Sequence, residues 1–265
     1  MNHKKLWRQA SHWITALSLG AALCGQALAA ELHVLSSGGF TAAYKQLVPG
    51  YEKASGDQVV SGYGASLGGA PDSIPSRLAR HEPADVVILS VPALEALVAA
   101  GQVRAGSRVD LGRSLIGLSV RKGTPKPDIS SVEALKNTLL QARSIAYSAS
   151  ASGTYLSTVL FKQLGVADQI KDKARRIVSE RVGSVVARGD AELGFQQVSE
   201  LLPIEGLDFV GTLPDEVQEV TIFAAGITTE AREPEAAKAL LRYLSSAEAA
   251  PVIRQTGLDP IPAKP

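Results

Sequence analysis

The 265-residue chain is short of the side chains from which most catalysts and metal centres are built: it has one cysteine, one methionine, two tryptophans and four histidines. Cys24 stands inside an N-terminal stretch that reads as an export signal. The chain beyond it is therefore expected to have no disulfide, no thiolate nucleophile and no cysteine metal ligand. His3 and His12 share that stretch, which leaves His33 and His81. Two isolated histidines without cysteine argue against a transition-metal site, and neither a metal nor a cofactor is expected. No basic tract suggests a nucleic-acid or anionic-membrane surface. Internal repeats and low-complexity tracts are absent, and the longest apolar run is too short to span a bilayer as a helix.

The basic residues Lys4, Lys5 and Arg8 open the chain, an apolar stretch follows from Trp13 to Leu23, and Ala27-Leu28-Ala29 places small residues where signal peptidase needs them. Residues 1–30 are accordingly expected to be a signal peptide cleaved near Ala29 or Ala30, and the mature chain to work in the periplasm. No twin-arginine pair precedes the apolar run, so general secretion is the expected route. Leu23 argues against lipidation of Cys24, because a small residue is expected before a lipidated cysteine. Removing Lys4, Lys5 and Arg8 from 27 basic residues leaves 24 against 26 acidic ones, a formal charge of −2. With 45% hydrophobic residues, the remainder buries a large core as one domain or two modest lobes.

What is present is an alternation of short apolar strands and amphipathic helices, which implies α/β architecture with mixed, mostly parallel sheets. Strands are expected at 32–35, 58–61, 84–89, 114–120, 144–147, 176–178, 192–195, 208–210 and 219–225. Helices are expected from Phe40 to about Tyr51 with Gly56 past the end, at 93–100, at 155–164, at 234–244 and at 247–255. Ser130 to Glu133 reads as a capping box opening another helix through Leu140.

Ligands of such sheets sit beyond the carboxyl ends of the strands, and the loops expected there are rich in serine and glycine. The first is Ser36-Ser37-Gly38-Gly39, the second Gly62 to Gly69, and the third Ser148 to Thr154. Two of them lead directly into helices, whose free amide N–H groups favour an anion. Together they offer a small ligand neutral hydroxyl and amide donors. Arg77, Arg80 and Arg121 are candidate charge partners. The string Gly64-Ala65-Ser66-Leu67-Gly68 matches a nucleophile-elbow pattern. However, Gly69-Ala70-Pro71-Asp72 cannot start the helix that an elbow requires, and the only downstream histidine is His81. A secreted serine hydrolase using Ser66 is therefore a distant alternative.

Three segments resemble the extracytoplasmic solute-binding proteins of ABC importers, in the branch of the periplasmic molybdate-binding proteins. They are Val34-Leu35-Ser36-Ser37, Pro83 to Ser90 (PADVVILS) and Val186 to Phe195 (VARGDAELGF). Arg232 to Ala249 and then Gly257-Leu258 are similar to that branch's closing helices. The resemblance implies two α/β lobes joined by two crossing strands: residues 31–113 plus 226–265, and 114–225. It places ligand-binding positions on Ser36 or Ser37, on Ala65 or Ser66, near Ser152 and on Gln197. With their loop and strand neighbours, the candidate ligand-binding residues are Ser36, Ser37, Gly38, Ala65, Ser66, Ser150, Ser152, Gly153, Gln196 and Gln197. Gln197 stands where the branch has a ligand-facing tyrosine, and the second loop is longer than usual. The resemblance further implies a monomer with no enzymatic activity. It would bind a small anion, either a molybdate-like oxyanion or a small organic carboxylate, and deliver it to an importer permease.

Overall fold

The computed structural model describes residues 29–178 and 180–261; the expected signal peptide and Cys24 lie outside the described residues, apart from Ala29 and Ala30. The chain first builds β1 (Glu31–Ser37), α1 (Gly38–Ser55), β2 (Gln58–Gly64), α2 (Ile74–Ala79), β3 (Val86–Ser90), α3 (Val91–Ala99) and β4 (Val109–Ser114). It then builds β5 (Ile116–Arg121), α4 (Val132–Gln141), β6 (Ile145–Ser148), α5 (Ala151–Tyr155), a π-helical turn (Leu156–Leu160), α6 (Phe161–Gln163) and α7 (Ala167–Ile170). After β7 (Ala174–Ile177), α8 (Val182–Arg188), β8 (Leu193–Gln197), α9 (Val198–Leu201) and β9 (Leu207–Thr212), it closes with β10 (Thr221–Ile227), α10 (Pro234–Leu244), α11 (Ala250–Gln255) and β11 (Asp259–Pro260).

These strands form two sheets, one ordered β11-β4-β10-β3-β1-β2 and the other β7-β6-β8-β5-β9. In each, a parallel half (β2-β1-β3; β7-β6-β8) joins an antiparallel half built from strands adjoining the crossings. Helices cover both faces of each sheet. In the first, α1, α10 and α11 pack on one face around Phe40, Tyr44, Leu240 and Ile253, while α2 and α3 pack on the other around Leu78 and Leu94. In the second, α4 to α7 enclose Leu118, Leu135, Phe161 and Phe195, and α8 covers the reverse face through Val182, Val185 and Val186.

Local chemistry explains the elements. All five residues of β3 are buried because it lies between β1 and β10, so its apolar run has no polar alternation. Asp85, just before it, is buried and accepts hydrogen bonds from the backbone N–H groups of His33 (2.8 Å), Arg232 (2.6 Å) and Glu233 (3.1 Å). One carboxylate thus ties the first strand to the chain entering α10.

Three expectations shift. The single strand expected over 114–120 is two: β4 ends at Ser114 in one sheet and β5 begins at Ile116 in the other. The crossing leaves no mark in hydrophobic pattern, since the residues that end β4 and begin β5, Ser114 and Ile116, are both buried. The cap of α4 is Ser131, whose side chain accepts from Ala134 N–H at 3.1 Å, one residue later than the capping box implies. The helix expected from Tyr155 begins at Ala151, so Ser152 and Gly153 belong to its first turn rather than to a loop.

The chain returns to the first sheet between Thr212 and Thr221, and the expected division at 225/226 falls inside β10. Gln218 clasps the two crossings together. Its Oε1 accepts from Ile116 N–H at 2.9 Å, and its Nε2 donates to Ile116 O at 3.0 Å.

Candidate functional site

The carboxyl ends of β1, β2, β6, β7 and β8 from both sheets surround one cleft of about 200 Å³, many times the roughly 10–15 Å³ that a single water requires. β1 delivers Ser37, the N-cap of α1, in an extended conformation with no side-chain capping bond. Its hydroxyl is buried and has no partner among the described residues. The first-turn amides of the 18-residue α1 therefore face the cleft beside a free hydroxyl, with the positive end of the helix dipole behind them.

β2 and the loop after it bring Tyr63, Gly64, Ala65 and Ser66. The Ser66 hydroxyl accepts from Ser90 N–H at 3.1 Å, which leaves its own proton for a ligand. β6 ends in Ser148, and Ser150 and Ser152 follow at the start of α5. The Ser148 and Ser152 hydroxyls lie 3.0 Å apart. Gly153 makes this turn possible: a Cβ there would fall 1.6 Å from the Ser148 carbonyl oxygen.

Eight of the ten expected positions line this cleft: Ser37, Gly38, Ala65, Ser66, Ser150, Ser152, Gln196 and Gln197. Ser36 and Gly153 do not, being fully or almost fully buried behind it. The Ser36 hydroxyl turns to the Ser37 carbonyl oxygen at 3.4 Å. Gln197 donates from Nε2 to Thr221 Oγ1 at 2.9 Å, and its buried Oε1 has no partner among the described residues. Gln196 accepts from Val182 N–H at 3.0 Å and donates to Glu200 Oε1 at 2.9 Å. Both amides are thus engaged with the protein on at least one side.

Of the arginines singled out from sequence, none lines the cleft. Arg77 is held by Glu82 and by the Tyr63 carbonyl oxygen at 2.9 Å. The hydrolase alternative is not assembled. His33 pairs with Glu31 at 3.1 Å, and the exposed His81 faces Glu230 at 3.4 Å, so neither imidazole bonds Ser66.

Sequence reasoning missed all four charged residues of the cleft, Asp72, Glu180, Arg181 and Glu200. Among the described residues Arg181 is the only lysine or arginine lining it, and it makes no ion pair there. Glu200 lies in α9 immediately after β8 and is buried. Burial raises its pKa to about 7, against the opposing pull of Arg181 and the Gln196 hydrogen bond. Its carboxylate packs on the Cα of Gly38 so closely that a Cβ there would lie 2.0 Å from Oε1. The position of Glu200 four residues beyond the glutamine that now bonds it carries no signal of that placement in the sequence.

The signature of the family described as bacterial extracellular solute-binding protein matches residues 32–259. Aconitate isomerase of a Pseudomonas species is 49% identical over 95% of this chain and 98% of its own length. A molybdate-binding protein of Azotobacter vinelandii is 28% identical over 93% of this chain and 96% of its own. The solved periplasmic molybdate-binding protein of that organism superposes with a TM-score of 0.68 at 22% identity, covering 88% of this chain and 100% of its own. The fold is thus that of the two-lobed periplasmic binding proteins. The expectation that the chain is not an enzyme is overturned by the relative named for an isomerisation. That expectation rested on the family resemblance and on the lack of a plausible base in His33 or His81.

Proposed function

The chain belongs to the bacterial extracellular solute-binding proteins, and from that premise we propose that it binds aconitate in the cleft and interconverts its cis and trans forms. Membership implies a small ligand, a periplasmic location and an ABC importer permease as partner. The observation that carries the proposal is the full-length likeness to aconitate isomerase at 49% identity, and the chemistry of the cleft supports it. Aconitate presents three carboxylates around one carbon–carbon double bond. The hydroxyls of Ser37, Ser66, Ser150 and Ser152, the first amides of α1 and the Arg181 guanidinium match such a ligand. Hydrogen bonds to charged acceptors are worth about 1.5–3 kcal/mol each, so four or five support micromolar binding after ordering costs.

A molybdate-like oxyanion is the second reading, favoured by the 28% identical molybdate-binding relative. It fits less well. The position that would close a tetrahedral cage is Gln197, which gives an N–H to Thr221 and leaves a bare acceptor oxygen buried beside the cleft. A tetrahedral cage needs a donor at that position, whereas aconitate is held without setting a carboxylate there. The test is to incubate the purified protein with trans-aconitate, and separately with cis-aconitate, and follow both by proton NMR. Calorimetry with aconitate, citrate, molybdate and sulfate runs alongside. Convergence on one isomer ratio from both sides is expected, with aconitate heat and none from molybdate. Molybdate heat without aconitate binding or conversion overturns the proposal in favour of the oxyanion.

A further inference from the structure

We propose that Glu200 is the catalytic acid–base group of the cleft, moving one proton between the two carbons that flank the central carbon of aconitate. The inference rests on the preceding reading of the substrate and adds the group that acts on it.

Position supports it first. Glu200 is 9% exposed and lines the cleft from the second lobe, where α9 follows β8 without a connecting loop. Its Oε1 is fixed by Gln196 Nε2 at 2.9 Å. Gln196 is fixed in turn by Val182 N–H, which donates to its Oε1 at 3.0 Å. Oε2 has no hydrogen bond among the described residues and is not sealed from solvent. One carboxylate oxygen is thus anchored and the other has no partner among the described residues.

The other acids of the cleft are unsuited. Glu180 is bound by Arg188 at 2.8 and 3.2 Å, and Asp72 is exposed on its loop. The remaining charge facing Glu200 is Arg181, and the first turn of α1 has no acidic residue. A base held near neutrality by burial is matched to proton transfer at periplasmic pH, and Glu200 is held at about 7.

The chemistry closes without an added reagent. Aconitate has a methylene group between one carboxylate and the double bond. Glu200 takes one methylene proton, and the C–H electron pair spreads over the three allylic carbons and into the attached carboxylates. Returning the proton to the far allylic carbon makes that carbon the methylene and forms the double bond on the other side, in either geometry. One C–H bond breaks and one forms, and the carboxylate ends as it began. The amides at the N-terminus of α1 and the Arg181 guanidinium stabilise the extra negative charge while it exists.

The test compares wild type with Glu200→Gln and Glu200→Asp. General acid–base groups contribute roughly 10²–10⁴-fold. Glu200→Gln is therefore expected to lose at least about a hundredfold in kcat, while its calorimetric Kd for aconitate stays within about threefold of wild type. Glu200→Asp, which withdraws the carboxyl by one methylene, is expected to fall between the two in kcat. It carries the test should the glutamine variant not fold. Conversion by wild type with kcat unchanged in either variant overturns the role of Glu200 and leaves the substrate reading intact. Failure of wild type to bind or convert aconitate overturns both.

Discussion

Above about pH 7 the folded chain holds a buried negative charge at Glu200 that the unfolded chain would expose to water. Because burial raises this pKa from the ordinary glutamate value of 4.5 to about 7, the folded state binds the proton more tightly. The associated stability is fully present below about pH 4.5 and is lost as pH rises through 7. The span corresponds to about 3 kcal/mol. Glu200→Gln keeps the shape and the Gln196 contact but removes the charge. Its melting temperature should exceed that of wild type at pH 8, and the gap should close by pH 4. A constant gap across that range would show that Glu200 is not buried in its charged form. At this scale the serines of the cleft were legible because serine and glycine at a strand-to-helix junction already specify donors. The acid was not, because nothing in the residues around Glu200 says that the turn after β8 points back under the N-terminus of α1. That placement depends on α9 reaching across to α1, where Ser199 Oγ donates to Gly39 O at 2.6 Å.

Helix α4 tests how finely a sequence specifies an element. Ser130 and Ser131 are both acceptable N-caps by type, and Glu133 suggests the first of them. In the fold Ser131 is the cap, accepting from Ala134 N–H at 3.1 Å. Ser130 instead gives its N–H to Asp128 Oδ1 at 2.9 Å, an interaction that survives truncation of its own side chain. Ser131→Ala is therefore expected to cost about 1 kcal/mol, measured by denaturant unfolding, and Ser130→Ala a few tenths at most. The reverse order would restore the capping box. Most elements were readable in this way, α10 to the residue, because amphipathic period and a left-handed glycine such as Gly56 (φ 82°) are local signals. The division of 114–120 into β4 and β5 was not, since a buried strand looks alike in either sheet.

At the scale of the whole molecule two sheets, each with an apolar cluster on either face, are joined by the crossings that Gln218 clasps, and the cleft takes its walls from both. The two-lobed plan was legible because it rests on alternation and on family resemblance together. The ligand was not, because the oxyanion and carboxylate readings call for the same serines and differ in how Gln197 is engaged and in charges that the fold brings in from α9 and the residue before α8. A ligand held by both walls must stabilise both lobes. By mass action, trans-aconitate at a hundred times its Kd adds about 2.7 kcal/mol. For a chain of this size that raises the melting temperature by about 5–10 °C. Hydrogen exchange should slow in parallel at the start of α1, in the first lobe, and at the start of α5 and in α9, in the second. Glu200→Gln should show the same protection, since it keeps the donors and loses only the proton carrier. Protection confined to one lobe would mean that the ligand rests on a single wall, and the acid on one side and the amides on the other would then not meet the same substrate.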